Sequence, residues 1–62
     1  MSTWRLASRT TPQLGLRSWR AYRLKDPKRG DTEENRAYFG VWSRDREAVR
    51  YLVEDLNDRG AP

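Results

Sequence analysis

The hydrophobic period of this chain changes once, near residue 43, and that change bounds what it can fold into. In "RAYFGVW" (36–42) apolar and aromatic side chains alternate with period two, the mark of a strand. Beyond it, Val49, Leu52, Val53 and Leu56 fall at i, i+3, i+4 and i+7, one apolar stripe of a helix. Glu47, Arg50, Glu54 and Asp58 form its wet side; Arg50 can pair with Glu54, and Asp55 with Arg59. Ser43 or Asp45 can cap the start, because a side-chain oxygen there accepts orphan N–H groups. Gly60 suits the position just past the end. The helix is predicted over about 44–58.

Upstream, "LGLRSWRAYRLK" (14–25) also alternates. One parity holds Leu14, Leu16, Ser18, Arg20, Tyr22 and Leu24, apolar at both ends and polar in the middle; the other holds Gly15, Arg17, Trp19, Ala21, Arg23 and Lys25. A strand is predicted within 14–25, strongest from Trp19 onward, where Trp and Tyr suit a pleated surface. The N-terminal strand or arm, 1–13, contains "TWRLAS" (3–8), with Trp4 and Leu6 on one face, followed by a turn at "RTTP" (9–12). "DPKRGDTEEN" (26–35) holds no apolar residue and is predicted to be a loop, long for a hairpin connection. Its acids Asp31, Glu33 and Glu34 lack the alternating ligand spacing of a calcium loop, so they are expected to be solvated. Strand, strand, strand, helix in a single domain, 1–62, predicts an α+β fold: a three-stranded antiparallel sheet packed on one C-terminal α-helix.

The helix stripe must lie on one sheet face. Ala37, Phe39 and Val41 have the better apolar record on the third strand, and Tyr22 and Leu24 are expected beside them. The outer face would then carry Arg36, Tyr38, Gly40 and Trp42 with Trp19, Ala21, Arg23 and Lys25. Either that face is open, or the N-terminal segment folds over it and Trp4 and Leu6 cover Trp19 and Trp42. An open face of arginines and aromatics suits nucleic acid, since guanidiniums neutralise phosphates and rings stack or pack.

Composition narrows the function. At 62 residues the chain buries only about 60% of its unfolded surface. It has no Cys, hence no disulfide or thiolate metal site, and no His, the commonest general base and metal ligand. Acid–base chemistry would rest on Asp, Glu, Lys and Tyr, with no glycine-rich phosphate loop or spaced carboxylate pair. A non-enzymatic protein without cofactor, metal or small-molecule substrate is expected. No apolar run nears the ~20 residues of a membrane span, and no signal-peptide pattern opens the chain, so a cytoplasmic setting is expected. Residues 1–30 hold 8 basic and 1 acidic residue, residues 31–62 hold 5 and 8, giving +7 and −3 within a net +4. A basic half points to an acidic partner. Arg outnumbers Lys 11 to 2, which fits guanidinium recognition of phosphate and guanine; codon composition in a G+C-rich genome, consistent with the absence of Ile, accounts for it equally well.

The segment "RAYFGVWSRDREAVRYL", with "WRAYRLKDP" and "DPKRG" before it, resembles the plant ethylene-response-factor DNA-binding domain and the related arm-type DNA-binding domains of phage and transposon integrases, over about residues 17–53. That resemblance implies a three-stranded sheet on one helix, laid in the DNA major groove, with contacts from Arg23, Lys25, Arg36 and Tyr38. Arg17 and Trp19 would extend the set, and Lys28 and Arg29 lie in the loop that resembles the family's second hairpin. The short first hairpin, "QLGLRSW", and the acids of "DTEEN" depart from the family pattern. The expectation is therefore a small nucleic-acid-binding protein, with duplex DNA as partner. The alternative is a protein-interaction module, such as a phage- or plasmid-encoded inhibitor or modulator of a host protein, since Trp, Tyr and Arg also dominate protein hot spots.

Overall fold

The computed structural model describes residues 3–60, so the ends of the expected 1–62 domain, residues 1–2 and 61–62, lie outside the described residues. Strands β1 (Arg5–Thr10), β2 (Arg17–Leu24) and β3 (Arg36–Ser43) form one antiparallel sheet with β2 in the middle, and helix α1 (Arg46–Asp58) follows. The α+β fold expected from the order of periods is the fold observed. The second strand starts at Arg17 rather than at 14, because Gly15 takes a φ of 65° and closes a turn in which Thr11 N–H donates to the Leu16 carbonyl at 2.8 Å. Only glycine adopts that conformation without steric cost.

Local chemistry sets the helix ends. Asp45 accepts from Ala48 N–H at 3.1 Å as the N-cap, and Ser43 Oγ accepts from Asp45 N–H at 3.1 Å, so both candidate residues act in sequence. Arg50 bridges Glu47 (2.9 Å) and Glu54 (2.7 Å), and Arg59 pairs with Asp55 (3.0 Å). Gly60, with φ 67°, stops the helix and donates to the Asn57 carbonyl at 3.1 Å.

The core lies between α1 and the β1–β2 half of the sheet. Trp4, Ala21 and Leu56 form its buried centre, with Leu52 and Val53 packed against it and Val49 buried nearby. The helix stripe is therefore the one read from the sequence. Asn57 locks the helix to the start of β1: its Oδ1 accepts from Thr3 N–H (3.1 Å) and Trp4 N–H (2.8 Å), and its Nδ2 donates to the Trp4 carbonyl (3.1 Å). One side chain thus satisfies three backbone groups at the entry to β1. Trp4 meets Phe39 edge-on, ring centroids 5.9 Å apart.

Register corrects the expected faces of β2. Leu6 pairs with Ala21 and Ala21 with Phe39, so these share the helix side; Arg5 pairs with Tyr22 and Tyr22 with Tyr38, so these share the other. Ala21, 0% exposed, faces the helix, and Tyr22 and Leu24 do not. The physical reason is bulk. Ala21 packs in one buried cluster with Trp4 and Leu56, whose bulk leaves room for a small side chain at that position. Nor does the N-terminal segment fold over the outer face, for it pairs as the edge strand β1 and sends Trp4 to the helix side. Between the pairs Ala21–Phe39 and Trp19–Ser43, β2 advances two residues and β3 four, so β3 carries an irregularity there, at Gly40 with φ 76°.

Leu56→Ala should cost about 2–5 kcal/mol, a large share of the roughly 3–9 kcal/mol that a domain of this size commands. Thermal melting followed by circular dichroism would show it, with Tyr51→Ala on the exposed helix face changing stability by no more than about 0.5 kcal/mol. Equal melting of the two variants would refute the assigned core.

Candidate functional site

The sheet face away from the helix carries three guanidinium–ring pairs. Arg9 of β1 lies 4.2 Å from the Trp42 ring centre, Arg20 of β2 lies 4.9 Å from that of Tyr38, and Arg36 of β3 lies 4.1 Å from that of Tyr22. The rings themselves form a row, Tyr22 to Tyr38 at 6.1 Å and Tyr38 to Trp42 at 5.5 Å. Strand geometry explains why they meet. Arg9 pairs in register with Ser18, whose small side chain lets the guanidinium reach across β2 to β3. The extra residues around Gly40 keep Trp42 beside Tyr38. Arginine stems and heads are what cover this face: Tyr22 is only 5% exposed although the helix is on the other side, and Ala7 is buried there as well.

The two ends of the face differ in charge. At the loop end, Asp31 accepts from Tyr22 Oη (2.7 Å) and from Arg36 Nε (2.7 Å) and Nη2 (3.3 Å), and Arg5 approaches it at 3.9 Å. Glu33 accepts from Tyr38 Oη at 2.9 Å. The Arg36 guanidinium, and then the Tyr22 hydroxyl, hold the Asp31 carboxyl below its ordinary value. Burial, and then the bond to Asp31, push the Tyr22 phenol up, while the bond to Asp31 raises Arg36 further above its already high value. At the other end, Arg9 and Arg20 have no carboxylate partner among the described residues, and Nε of Arg20 is buried without a hydrogen bond.

Asn35 arranges the acid end. Buried at the close of the 3₁₀ turn Glu33–Asn35, it accepts from Asp26 N–H and donates to the carbonyls of Asp26 and Gly30, each at 3.0 Å. Its own carbonyl accepts from Lys25 N–H at 2.7 Å. The long loop is thereby folded on a single amide, and Asp31 and Glu33 are brought to the sheet. They stay exposed, as expected, yet they are not bystanders. Their oxygens serve arginine and tyrosine donors, and no group of three or more potential metal ligands converges among the described residues.

Of the residues singled out from the sequence, Arg36 and Tyr38 lie on this face. Arg17, Trp19 and Arg23 fall on the helix-side parity of β2. Arg23 Nη1 donates to the Leu24 carbonyl at 3.4 Å and its guanidinium stands 6.0 Å from the Trp4 ring centre. Lys25, Lys28 and Arg29 are exposed in the loop, where the backbone N–H groups of Lys28 and Arg29 donate to Asp26. Register therefore does not gather Arg23 and Lys25 with Arg36 and Tyr38. Sequence reasoning missed Arg9 and Arg20, which stood in a turn and on the expected helix side. The signal was present: Ser18 and Arg20 made the middle of their parity polar, as a wet face would be. No protein-family model, curated protein or solved structure matches the chain. No helix among the described residues is long and apolar enough to cross a membrane.

Because the native Asp31 pKa lies below its ordinary value of 3.8, its ion pairs stabilise the fold above that value, and the contribution is lost as pH falls through the native one. Asp31→Asn should lower stability at neutral pH and flatten the acid limb of a urea-denaturation series below about pH 4. An acid limb identical to that of the parent would show that Asp31 is not coupled to the fold.

Proposed function

We propose that this chain is a small, non-catalytic nucleic-acid-binding protein that applies the open face of its sheet to duplex DNA. The observation that carries this reading is the pair Arg9 and Arg20, laid on Trp42 and Tyr38 with no carboxylate partner among the described residues. A guanidinium resting on a ring is held in place by the ring's negative face, yet its N–H edge stays free for a phosphate oxygen. The basic first half of the chain, +7 over residues 1–30, supplies the field that draws in a polyanion. The resemblance to sheet-type DNA-binding domains points the same way, and Arg36 and Tyr38 of that resemblance sit on this face. Such a partner implies an intracellular, cytoplasmic setting.

A protein partner is the second reading, favoured by one observation. Phe39 is 47% and Val41 80% exposed on β3, an edge strand, and an apolar edge is a template for an added strand.

Tryptophan fluorescence in a duplex-DNA titration, repeated at several salt concentrations, separates them. Binding should weaken steeply with salt, and in the Arg9→Gln, Arg20→Gln double variant the log–log salt slope should shrink by about 1.8 at unchanged helicity, two phosphate contacts at ~0.9 each. Absence of DNA binding at low salt, with capture of a protein that Val41→Lys abolishes, would establish the second reading instead.

A further inference from the structure

Resting on the nucleic-acid reading, we infer that the face takes its ligand as a paired duplex, held by backbone phosphates at the Arg9–Arg20 end, and does not stack unpaired bases. A single-strand platform needs open ring faces, because each base settles on one. Here every ring of the row carries a guanidinium within 4.9 Å. Tyr22 lies buried beneath Arg36, and Tyr38 is tied to Glu33 through its hydroxyl. A base could stack only by displacing an arginine, and so by giving up the cation that attracts its own phosphate.

The placement along the face follows from charge. Asp31 holds Arg36 by two hydrogen bonds and draws Arg5 within 3.9 Å, and Glu33 stands beside them. Asp31 occupies donors of Arg36 that a phosphate would use, and both carboxylates repel a polyanion. Arg9 and Arg20, which have no carboxylate partner among the described residues, stand at the opposite end, next to Trp42. The contact is thus polarised: Arg9 and Arg20 bind, while Asp31 holds Arg36 by hydrogen bonds and offsets the charge of the half-exposed Arg5 at 3.9 Å.

Fluorescence anisotropy with a labelled duplex and with one of its strands alone tests this, with circular dichroism confirming that each variant is folded. The parent should bind the duplex about tenfold more tightly than the strand at equal salt, with the steeper salt slope on the duplex. Arg9→Gln and Arg20→Gln should each remove about 0.9 from the duplex slope, and Arg5→Gln about none. Tighter binding of the single strand, or an unchanged slope in both Arg9→Gln and Arg20→Gln, overturns the inference and with it the duplex and the two arginines of the proposed function, while nucleic-acid binding as such stands. A slope lowered by Arg5→Gln as much as by Arg9→Gln overturns the polarity. No binding of either form overturns the nucleic-acid reading itself, and the inference with it.

Discussion

The packing of Trp4 and Leu56 on the fully buried Ala21 governs the rest of this molecule. Trp4 and Leu56 meet over the middle of β2, and the residue beneath them must be almost without bulk. Once Ala21 is buried there, period two places Arg20 and Tyr22 on the opposite face, and the pairings Ala7–Arg20 and Tyr22–Tyr38 extend that face to both neighbours. A strand shifted by one residue would bury Arg20 or Tyr22 under the helix and leave their charge or hydroxyl without water. The core is small, and that single steric fit decides which side chains meet solvent.

The open face is stable because its charges are matched at short range. Arginine stems cover Tyr22 and Ala7, which an uncovered sheet would leave to water. Asp31 and Glu33 give the tyrosine hydroxyls and the Arg36 fork a partner, and Asn35 holds the loop that delivers them. At the loop end the donors are satisfied internally. Toward Arg9 and Arg20 the face carries guanidiniums with no carboxylate partner among the described residues, the chemistry that suits a polyanionic ligand.

Much of the fold was legible because its signals are local. The apolar stripe Val49, Leu52, Val53 and Leu56, the Asp45 cap, the Gly60 stop and the ion pairs Arg50–Glu54 and Asp55–Arg59 each depend on residues within a turn or two. The candidate surface was legible only in part. Arg36 and Tyr38 stand out on a strand whose parities differ clearly in polarity. On β2 they do not: one parity offers Leu, Arg and Tyr, the other Trp, Ala and Arg, and hydrophobicity alone cannot rank them. Asn35 was invisible for a related reason, since an asparagine in a polar loop carries no mark of the three bonds it will make.

The sequence by itself determined the elements, their order and the separation of charge along the chain, because period, capping and turn chemistry act between near neighbours. Only the tertiary structure decided which parity of β2 faces the helix, which arginines lie on rings and which acid restrains them. Those outcomes depend on volumes and registers set by residues far apart in the chain, such as Trp4 against Leu56 and Arg9 against Trp42.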